Sequence, residues 1–398
     1  MVTSFFGAAS FGGDAVYVER LGNALIKRGH EVHVICSAGA FRCVQGRHQR
    51  RFYQPPSGLR VHTIAADMRG VAGAIWSQQT GRIGPVRLFL SQVLGEVPFD
   101  VVHLHNVSLL GHTHIFELIP AGRRPVKLVT AHDYWWICPQ SLLWKNNQRV
   151  CDGHTCVTCL IRSRRPPQLW RGGDFAPRAL ARADAVLFPS QAALDIHLAH
   201  GLRHPHMEVL PCFLPDEWIT HAPAAPPSER PYFAAVGRLV TEKDFQAIVP
   251  VMREFPGLDL RLAGSGPFEP QLRALATDLP NVKLLGQLSS ADVAGLLRGA
   301  RALIVPSLFP ETFGYVAAEA MALGTPVIAR RRGALPEVVQ AAGGGLLFES
   351  SEELRAHMQT LAFDETRRKA LVVPERARHL WSESAHLDQY LQIVETLQ

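Results

Sequence analysis

An α/β fold of two parallel-sheet domains is predicted by three stretches of this sequence. Residues 302–339, ALIVPSLFPETFGYVAAEAMALGTPVIARRRGALPEVV, open with an apolar run of strand length, Ala302–Pro306. A turn with Pro306, Ser307, Pro310 and Gly314 follows. A helical segment then runs roughly from Gly314 to Leu323, stopped by Gly324 and Pro326, before a second apolar strand, Val327–Ala329. Strand, loop, helix and strand in that order make a parallel α/β unit. The chain also opens as βαβ: Val2–Phe6 reads as a strand, Gly7, Gly12 and Gly13 as a loop, Asp14–Arg28 as a helix and Glu31–Cys36 as a strand. Between the halves lies APAAPPSERP, residues 222–231, whose Ala and Pro content predicts an interdomain linker.

A chain of 398 residues suits two domains. With 47% hydrophobic and 19% charged residues each domain can bury a packed core, which excludes a mainly disordered chain. No apolar run approaches the ~20 residues of a membrane-spanning helix. The first residues lack the basic and apolar regions of a secretory leader, so a cytoplasmic location is expected. A net charge of +6 fits phosphorylated substrates or an anionic membrane surface and compels neither. Seven cysteines without an export signal point to reduced thiols or a metal rather than a disulfide framework.

In chain order, Val18, Leu21 and Leu25 give the first helix its buried face, and Gly29 ends it. The glycine loop lies at the C-terminal end of the first strand, where open α/β sheets bind ligands. Its spacing is not G-x-G-x-x-G, so a nicotinamide oxidoreductase is disfavoured. Residues 43–54, CVQGRHQRRFYQ, read as a basic loop, either a solvated face or a contact for a phosphate-bearing or membrane-bound acceptor. Leu59–Ile64 and Asp100–His105 read as strands, and an amphipathic helix lies within 70–95. The strand Leu128–Ala131 ends at His132 and Asp133, a position equally compatible with an ordinary hydrogen-bonded histidine.

The stretch 138–171 stands apart. Cys138, Cys151, Cys156 and Cys159 have the spacing C-x12-C-x4-C-x2-C, with His154 among them. Four thiolates, or three with His154, could hold one structural Zn²⁺; buried free thiols are the alternative. The basic RSRRPPQLWR at 162–171 reads as an acceptor or membrane surface. Asp184–Pro189 and Met207–Pro211 are further strands.

The second half restarts the rhythm with Tyr232–Val236, followed by Gly237, Arg238 and, five residues on, Lys243. Cations at a strand's C-terminal end suit a diphosphate and the charge it gains on departure. Leu258–Ala263 closes at Gly264-Ser265-Gly266-Pro267, and Val282–Gly286 leads to Gln287-Leu288-Ser289. Glu311 and Glu319 are separated by seven residues. A helix N-terminus between them offers free N–H groups to a diphosphate, and Glu319 lies about one and a half turns inside the helix. Its neighbours are Val-Ala-Ala and Ala-Met-Ala, and a carboxylate in so apolar a helix needs a partner. The final 380–398 reads as an amphipathic helix.

Glu311, Phe313, Gly314, Glu319, Ala320, Gly324, Pro326 and Val327 together resemble the signature of the retaining family-4 glycosyltransferases. Arg28–Val32, the spacing of Arg238 and Lys243, the Gly264–Pro267 turn and His132–Pro139 are similar to the family as well. The resemblance implies the GT-B fold: two Rossmann-like domains facing a central cleft. It places an acceptor-side domain at 1–221, the linker at 222–231, a nucleotide-sugar domain at 232–378 and a helix at 379–398 that crosses back to the first domain. It implies transfer from a UDP- or GDP-sugar to a glycan, lipid-linked or small-molecule acceptor, as in assembly of cell-envelope polysaccharide.

By the same resemblance Arg238 and Lys243 neutralise the leaving diphosphate, Glu319 holds the ribose and Glu311 the sugar hydroxyls. Gly12, Gly13, Gly237, Gly264, Leu288, Thr312, Phe313 and Gly314 contact the donor. His132, or alternatively His105, faces the transferred sugar. Attack comes from the face the diphosphate leaves, and no D-x-D motif near the site calls for a catalytic metal. Pro211-Cys212-Phe213-Leu214-Pro215 departs from the family's P-N-G-V-D. Nucleic acid is not an expected partner; membrane attachment stays open, since peripheral contact with the inner membrane face and a soluble acceptor fit equally well. A sugar-nucleotide epimerase or hydrolase on the same fold, and a non-catalytic nucleotide-sugar-binding subunit, remain the alternative readings.

Overall fold

The computed structural model describes residues 1–10, 12–45, 54–153, 155–223 and 229–398. They form two compact units. The first comprises Met1–Leu142, His154–Pro211 and Ser384–Gln398, and the second Leu143–Gly153 and Cys212–Glu383. Most of the basic stretch 43–54, half of the predicted linker and His154 lie outside the described residues.

The first unit holds strands β1 (Val32–Ser37), β2 (Leu59–Ile64), β3 (Val101–Leu104) and β4 (Val126–Thr130). The chain then forms a short hairpin of β5 (Trp144–Lys145) and β6 (Arg149–Val150), which belongs to the second unit, before β7 (Ala185–Phe188) and β8 (Met207–Val209) return to the first. β1 pairs with β2, and β3, β4, β7 and β8 pair in that order, all parallel. The segment predicted as the opening strand joins the two sets. Val2 bridges both Ile35 of β1 and Leu104 of β3, and its N–H donates to the His103 carbonyl at 2.8 Å. The ladder there is shorter than the predicted Val2–Phe6 but occupies the middle of the sheet. β1 is buried along its whole length, as a strand covered on both faces must be.

Helix Gly13–Lys27 buries Val18, Leu21 and Leu25, the face expected from their spacing. Residues 70–95 carry two helices, Met68–Thr80 and Arg87–Glu96, parted at Gly81 in the left-handed region with φ 68°. Three residues, 146–148, connect β5 to β6; Asn146 and Asn147 are both at positive φ, and the Gln148 N–H closes the turn on the Lys145 carbonyl at 3.0 Å.

The second unit is a six-stranded parallel sheet of β9 (Tyr232–Val236), β10 (Asp259–Ala263), β11 (Val282–Gly286), β12 (Ala302–Val305), β13 (Val327–Arg330) and β14 (Gly345–Phe348). Its spatial order is β11-β10-β9-β12-β13-β14. The first strand is central, and the order reverses between β9 and β12, a doubly wound topology with its ligand crevice at that switch point. Phe233, Leu260, Ile304 and Ile328 sit in its core with Phe255, Met358 and Leu361 from the covering segments. Asn281 is buried inside this core and its Nδ2 donates among the carbonyls of Met252, Phe255 and Leu258 at 3.0–3.1 Å.

The segment 211–215 is a strap. Cys212, Phe213 and Leu214 are buried, and the Leu214 N–H donates to the Trp381 carbonyl at 2.9 Å. Arg298 donates to the Ile219 and Ala222 carbonyls, so the chain up to residue 222 is fastened to the second unit.

Candidate active site

Strand order lines up the sequence-predicted residues of the second unit along one edge. Leu288 follows β11, Gly264 follows β10, Gly237 and Arg238 follow β9, and the loop carrying Glu311 follows β12. The loops are knitted by backbone: the Gly237 N–H donates to the Ala263 carbonyl and the Leu239 N–H to the Ser265 carbonyl, both at 3.0 Å. Gly264 has φ 145°, and a Cβ there would stand 1.8 Å from the Gly237 oxygen. The glycine turn after β10 is therefore demanded by the close crossing of two loops, whatever it also contacts.

Lys243 and Glu311 are brought together across the switch point. Lys243 Nζ lies 2.5 Å from Glu311 Oε1, with the two side chains 21% and 13% exposed. Ser307 Oγ donates to the same carboxylate oxygen at 2.7 Å, and Lys243 Nζ also stands 5.0 Å from the centre of the Phe309 ring. The Ala334 N–H donates to the Glu311 carbonyl at 2.8 Å, which fixes the loop from behind. Arg238 is exposed and makes no ion pair among the described residues.

The helix after Glu311 is Tyr315–Ala322. Gly314 caps its N-terminus at φ 90°, with no side-chain cap and no acidic residue in the first turn. The positive end of its dipole therefore lies at Gly314, where it favours an anion. Glu319 lies in its second turn, half-buried between Ala318 and Ala320. Thr312 is half-buried, whereas Phe313 is buried edge-on against Tyr315 and Trp381 and acts as packing.

Sequence reasoning missed the support beneath this loop. Arg330 donates to Asp244 at 2.6 Å and to the Pro306 carbonyl at 2.8 Å, tying β13 to the segments after β9 and β12. Burial pushes the Asp244 carboxyl up to about 6 against the pull of Arg330. A basic residue closing β13 was the available signal.

The first unit has its own candidate site, at the ends of β3 and β4. A small cavity there is lined by His105, Asn106, Ser108, His132, Asp133 and Trp135, among others. His105 Nδ1 and His132 Nε2 are 3.0 Å apart, and the buried His105 Nε2 has no hydrogen-bond partner among the described residues. Burial lowers His132 to about 3 and holds His105 well below the usual histidine range, so both rings are neutral. His132 packs against Tyr17, ring centres 4.8 Å apart. His386 Nδ1 donates to the Pro211 carbonyl at 2.8 Å, which leaves its Nε2 to accept from the Tyr17 hydroxyl at 3.1 Å.

Gly12 and Gly13 open the helix whose Asp14 accepts from Asn106 Nδ2 at 3.0 Å, so the glycine loop is fastened to the end of β3. Asp133, not selected from the sequence, accepts from the Trp135 N–H at 2.8 Å. Burial raises its carboxyl to about 7, with Asp14 adding to the rise. The His-Asp pair at a strand end was the signal that could have found it.

All seven cysteines are free thiols. Cys138 is buried, and Cys156 and Cys159 lie on helix Cys156–Arg162, where Gln140 Nε2 donates to Cys159 Sγ at 2.9 Å. Cys151 Sγ donates to the Gly153 carbonyl at 3.4 Å. Among the described residues no three His, Cys, Asp or Glu side chains converge as metal ligands would, so the expected zinc set of Cys138, Cys151, Cys156 and Cys159 is not assembled there.

Residues 11–218 match the family model described as Glycosyltransferase Family 4, and residues 216–378 match Glycosyl transferases group 1. A GDP-mannose-dependent monoacylated alpha-(1-6)-phosphatidylinositol monomannoside mannosyltransferase of Corynebacterium glutamicum is 34% identical over 49% of this chain and 57% of its own length. Sulfoquinovosyl transferase SQD2 of Arabidopsis thaliana is 30% identical over 36% of this chain and 29% of its own. The matches thus span less than two thirds of these relatives. Sucrose-phosphate synthase from Thermosynechococcus elongatus superposes with a TM-score of 0.72 at 20% identity, covering 100% of this chain and 98% of that one. Anabaena Alr3699/HepE in complex with UDP-glucose gives a TM-score of 0.67 at 18% identity, covering 100% of each. The fold is GT-B, with two Rossmann-like domains.

Proposed function

The chain belongs to glycosyltransferase family 4, and on that premise we propose that it transfers a sugar from a nucleotide diphosphate sugar to an acceptor hydroxyl with retention at the anomeric carbon. The observation that carries this reading is the Lys243–Glu311 pair beside the helix N-terminus at Gly314. One cation, one carboxylate and the positive end of a helix meet at the switch point of a doubly wound sheet. That set matches a diphosphate joined to a polyhydroxyl sugar.

In this reading the helix N-terminus, Arg238 and Lys243 take the diphosphate. Glu319 accepts from the ribose hydroxyls, and Glu311 accepts from hydroxyls of the transferred sugar. The acceptor oxygen bonds to the anomeric carbon as the carbon–oxygen bond to the diphosphate breaks. The acceptor proton passes to the departing phosphate oxygen on the same face. Arg238 and Lys243 stabilise the charge that grows on the diphosphate. His132, with His105 hydrogen-bonded to it, faces the transferred sugar. The acceptor enters over the first unit, and its reacting hydroxyl reaches Asp133 at the small cavity at the ends of β3 and β4. No divalent ion is assigned to the chemistry, since no D-x-D motif lies near Arg238, Lys243, Glu311 or Glu319. Activity abolished by chelation and restored by Mg²⁺ or Mn²⁺ would overturn that assignment.

The test is thermal stabilisation by UDP-, GDP-, ADP- and TDP-sugars, beside the Glu319→Ala variant. Binding to the native state raises the melting temperature by mass action. A shift with the UDP- or GDP-sugar class that the variant loses is expected. No shift with any nucleotide sugar would sink the donor reading. Free sugar or an epimer formed without acceptor would instead identify a hydrolase or epimerase.

A further inference from the structure

Helix Met68–Thr80 is built the wrong way round for a helix that meets only water. Its buried residues are Gly70, Gly73, Ala74 and Ser77, all small. Its large apolar side chains point outward: Met68 is 87% exposed, Ile75 51% and Trp76 49%. The small face is a packing requirement. A Cβ on Gly39 would stand 2.4 Å from the Gly70 carbonyl carbon, and one on Gly70 would stand 1.9 Å from the Ala65 oxygen. No such requirement acts on the outward face.

The chain that follows extends this face. Val86 packs on Gly73 and Gly84 on the Trp76 ring, so the loop after the helix lies back along it. Trp170 Nε1 donates to the Gln78 carbonyl at 2.9 Å and closes the far end. Leu88, two residues beyond Val86, is 79% exposed. Arg69, Arg82 and Arg87 are exposed around these apolar side chains and make no ion pair among the described residues. From position 68 to position 95 there is no Asp or Glu.

We propose that this face of the first unit docks on a lipid bilayer carrying anionic headgroups. Met68, Ile75, Trp76 and Leu88 enter the boundary between headgroups and acyl chains, and the three arginines pair with lipid phosphates. An interfacial helix needs an apolar face that carries a Trp and is rimmed by cations. Three arginines outweigh the one carboxylate at the helix start, Asp67, whose side chain accepts from the Gly70 N–H as the N-cap; that excess of positive charge matches the negative potential of such a surface, whereas a protein partner would meet a mixed rim. The inference does not rest on the donor reading, since every residue it uses belongs to the first unit and Glu319 to the second.

The experiment is co-sedimentation of the full chain with phosphatidylcholine vesicles, with and without phosphatidylglycerol, at low and high salt. Binding is expected only with phosphatidylglycerol and is expected to weaken with salt. The Ile75→Ser/Trp76→Ser variant should lose about tenfold or more in partitioning. Replacing Arg69, Arg82 or Arg87 by Gln should cost about fivefold each. Leu285→Ser, a similarly exposed site in the second unit, should change nothing. Circular dichroism and the nucleotide-sugar thermal shift, unchanged in all variants, separate this result from misfolding. The proposal is overturned by no binding to anionic vesicles, by equal binding of the Ile75→Ser/Trp76→Ser variant, or by a native dimer that this variant dissociates.

Discussion

Lys243 Nζ and Glu311 Oε1, 68 positions apart in the chain, lie 2.5 Å from each other where the strand order of the second sheet reverses. Removing the lysine leaves the Glu311 carboxylate largely buried, with Ser307 the remaining donor to it among the described residues. Lys243→Ala is expected to cost about 1–3 kcal/mol of stability and about 100- to 1,000-fold in kcat. Chemical denaturation and steady-state kinetics measure the two effects, and wild-type turnover in the variant would refute the role.

Arg238 provides the contrast. It is exposed and makes no ion pair among the described residues, so Arg238→Ala should change stability by no more than about 0.5 kcal/mol. It should still lower kcat/KM for the nucleotide sugar by about tenfold or more. Loss of stability without loss of activity would reverse the assignment.

Gly264→Ala places a Cβ 1.8 Å from the Gly237 oxygen at a φ of 145°. The loops after β9 and β10 must then part, at a cost of about 3 kcal/mol or more. A melting temperature within a degree or two of wild type would show that the two loops separate freely.

Asp133→Asn keeps the hydrogen bond from the Trp135 N–H but removes the carboxylate from the first-unit cavity. Acceptor KM should rise about 10- to 100-fold while the donor-induced thermal shift is retained. The group titrates near 7, so the acceptor-dependent rate of wild type should inflect there and that of the variant should not. An unchanged pH profile would remove Asp133 from the reaction.

Acid should unfold the protein through its buried histidines. Burial holds His112 and His132 near 3 and His197 and His386 near 4, all below the ordinary 6.5. These rings stay neutral when folded and bind protons when unfolded, so their contribution is complete above 6.5 and is lost as pH falls from 6.5 towards 3. Asp133 and Asp244, raised to about 7 and 6, act in the opposite sense and lose stability as pH rises through those values. Four rings against two carboxyls leave a net loss on acidification. His197→Gln should flatten the pH dependence of the melting temperature between 6.5 and 4 by about one proton's slope. An unaltered slope would mean that His197 is protonated in the native state.

The alternation of strand and helix was legible because it is written locally. β2, β9 and β11 fall at Leu59–Ile64, Tyr232–Val236 and Val282–Gly286, the limits read from apolar runs between turn residues. The Glu311–Glu319 signature was legible for the same reason, since loop, N-cap glycine and helix are contiguous. The inverted helix Met68–Thr80 was not, because its apolar positions mark a face without saying whether that face is inward. Its glycines, not its isoleucine and tryptophan, pack against the protein.

The amino-acid sequence alone determined the parallel α/β class, the family-4 signature and the placing of Arg238, Lys243, Glu311 and Glu319 at strand ends and a helix start. These follow from periodicity, glycine and proline punctuation and short-range spacing. Tertiary structure decided that Lys243 pairs with Glu311, that Gly264 is needed by Gly237, and that His105 and His132 are neutral partners. It also decided that Cys212–Leu214 is buried, with the Leu214 N–H fastened to the Trp381 carbonyl. The reason is the same in each case: strand order brings distant loops to one sheet edge, and burial then sets which polar groups must pair and which charges survive.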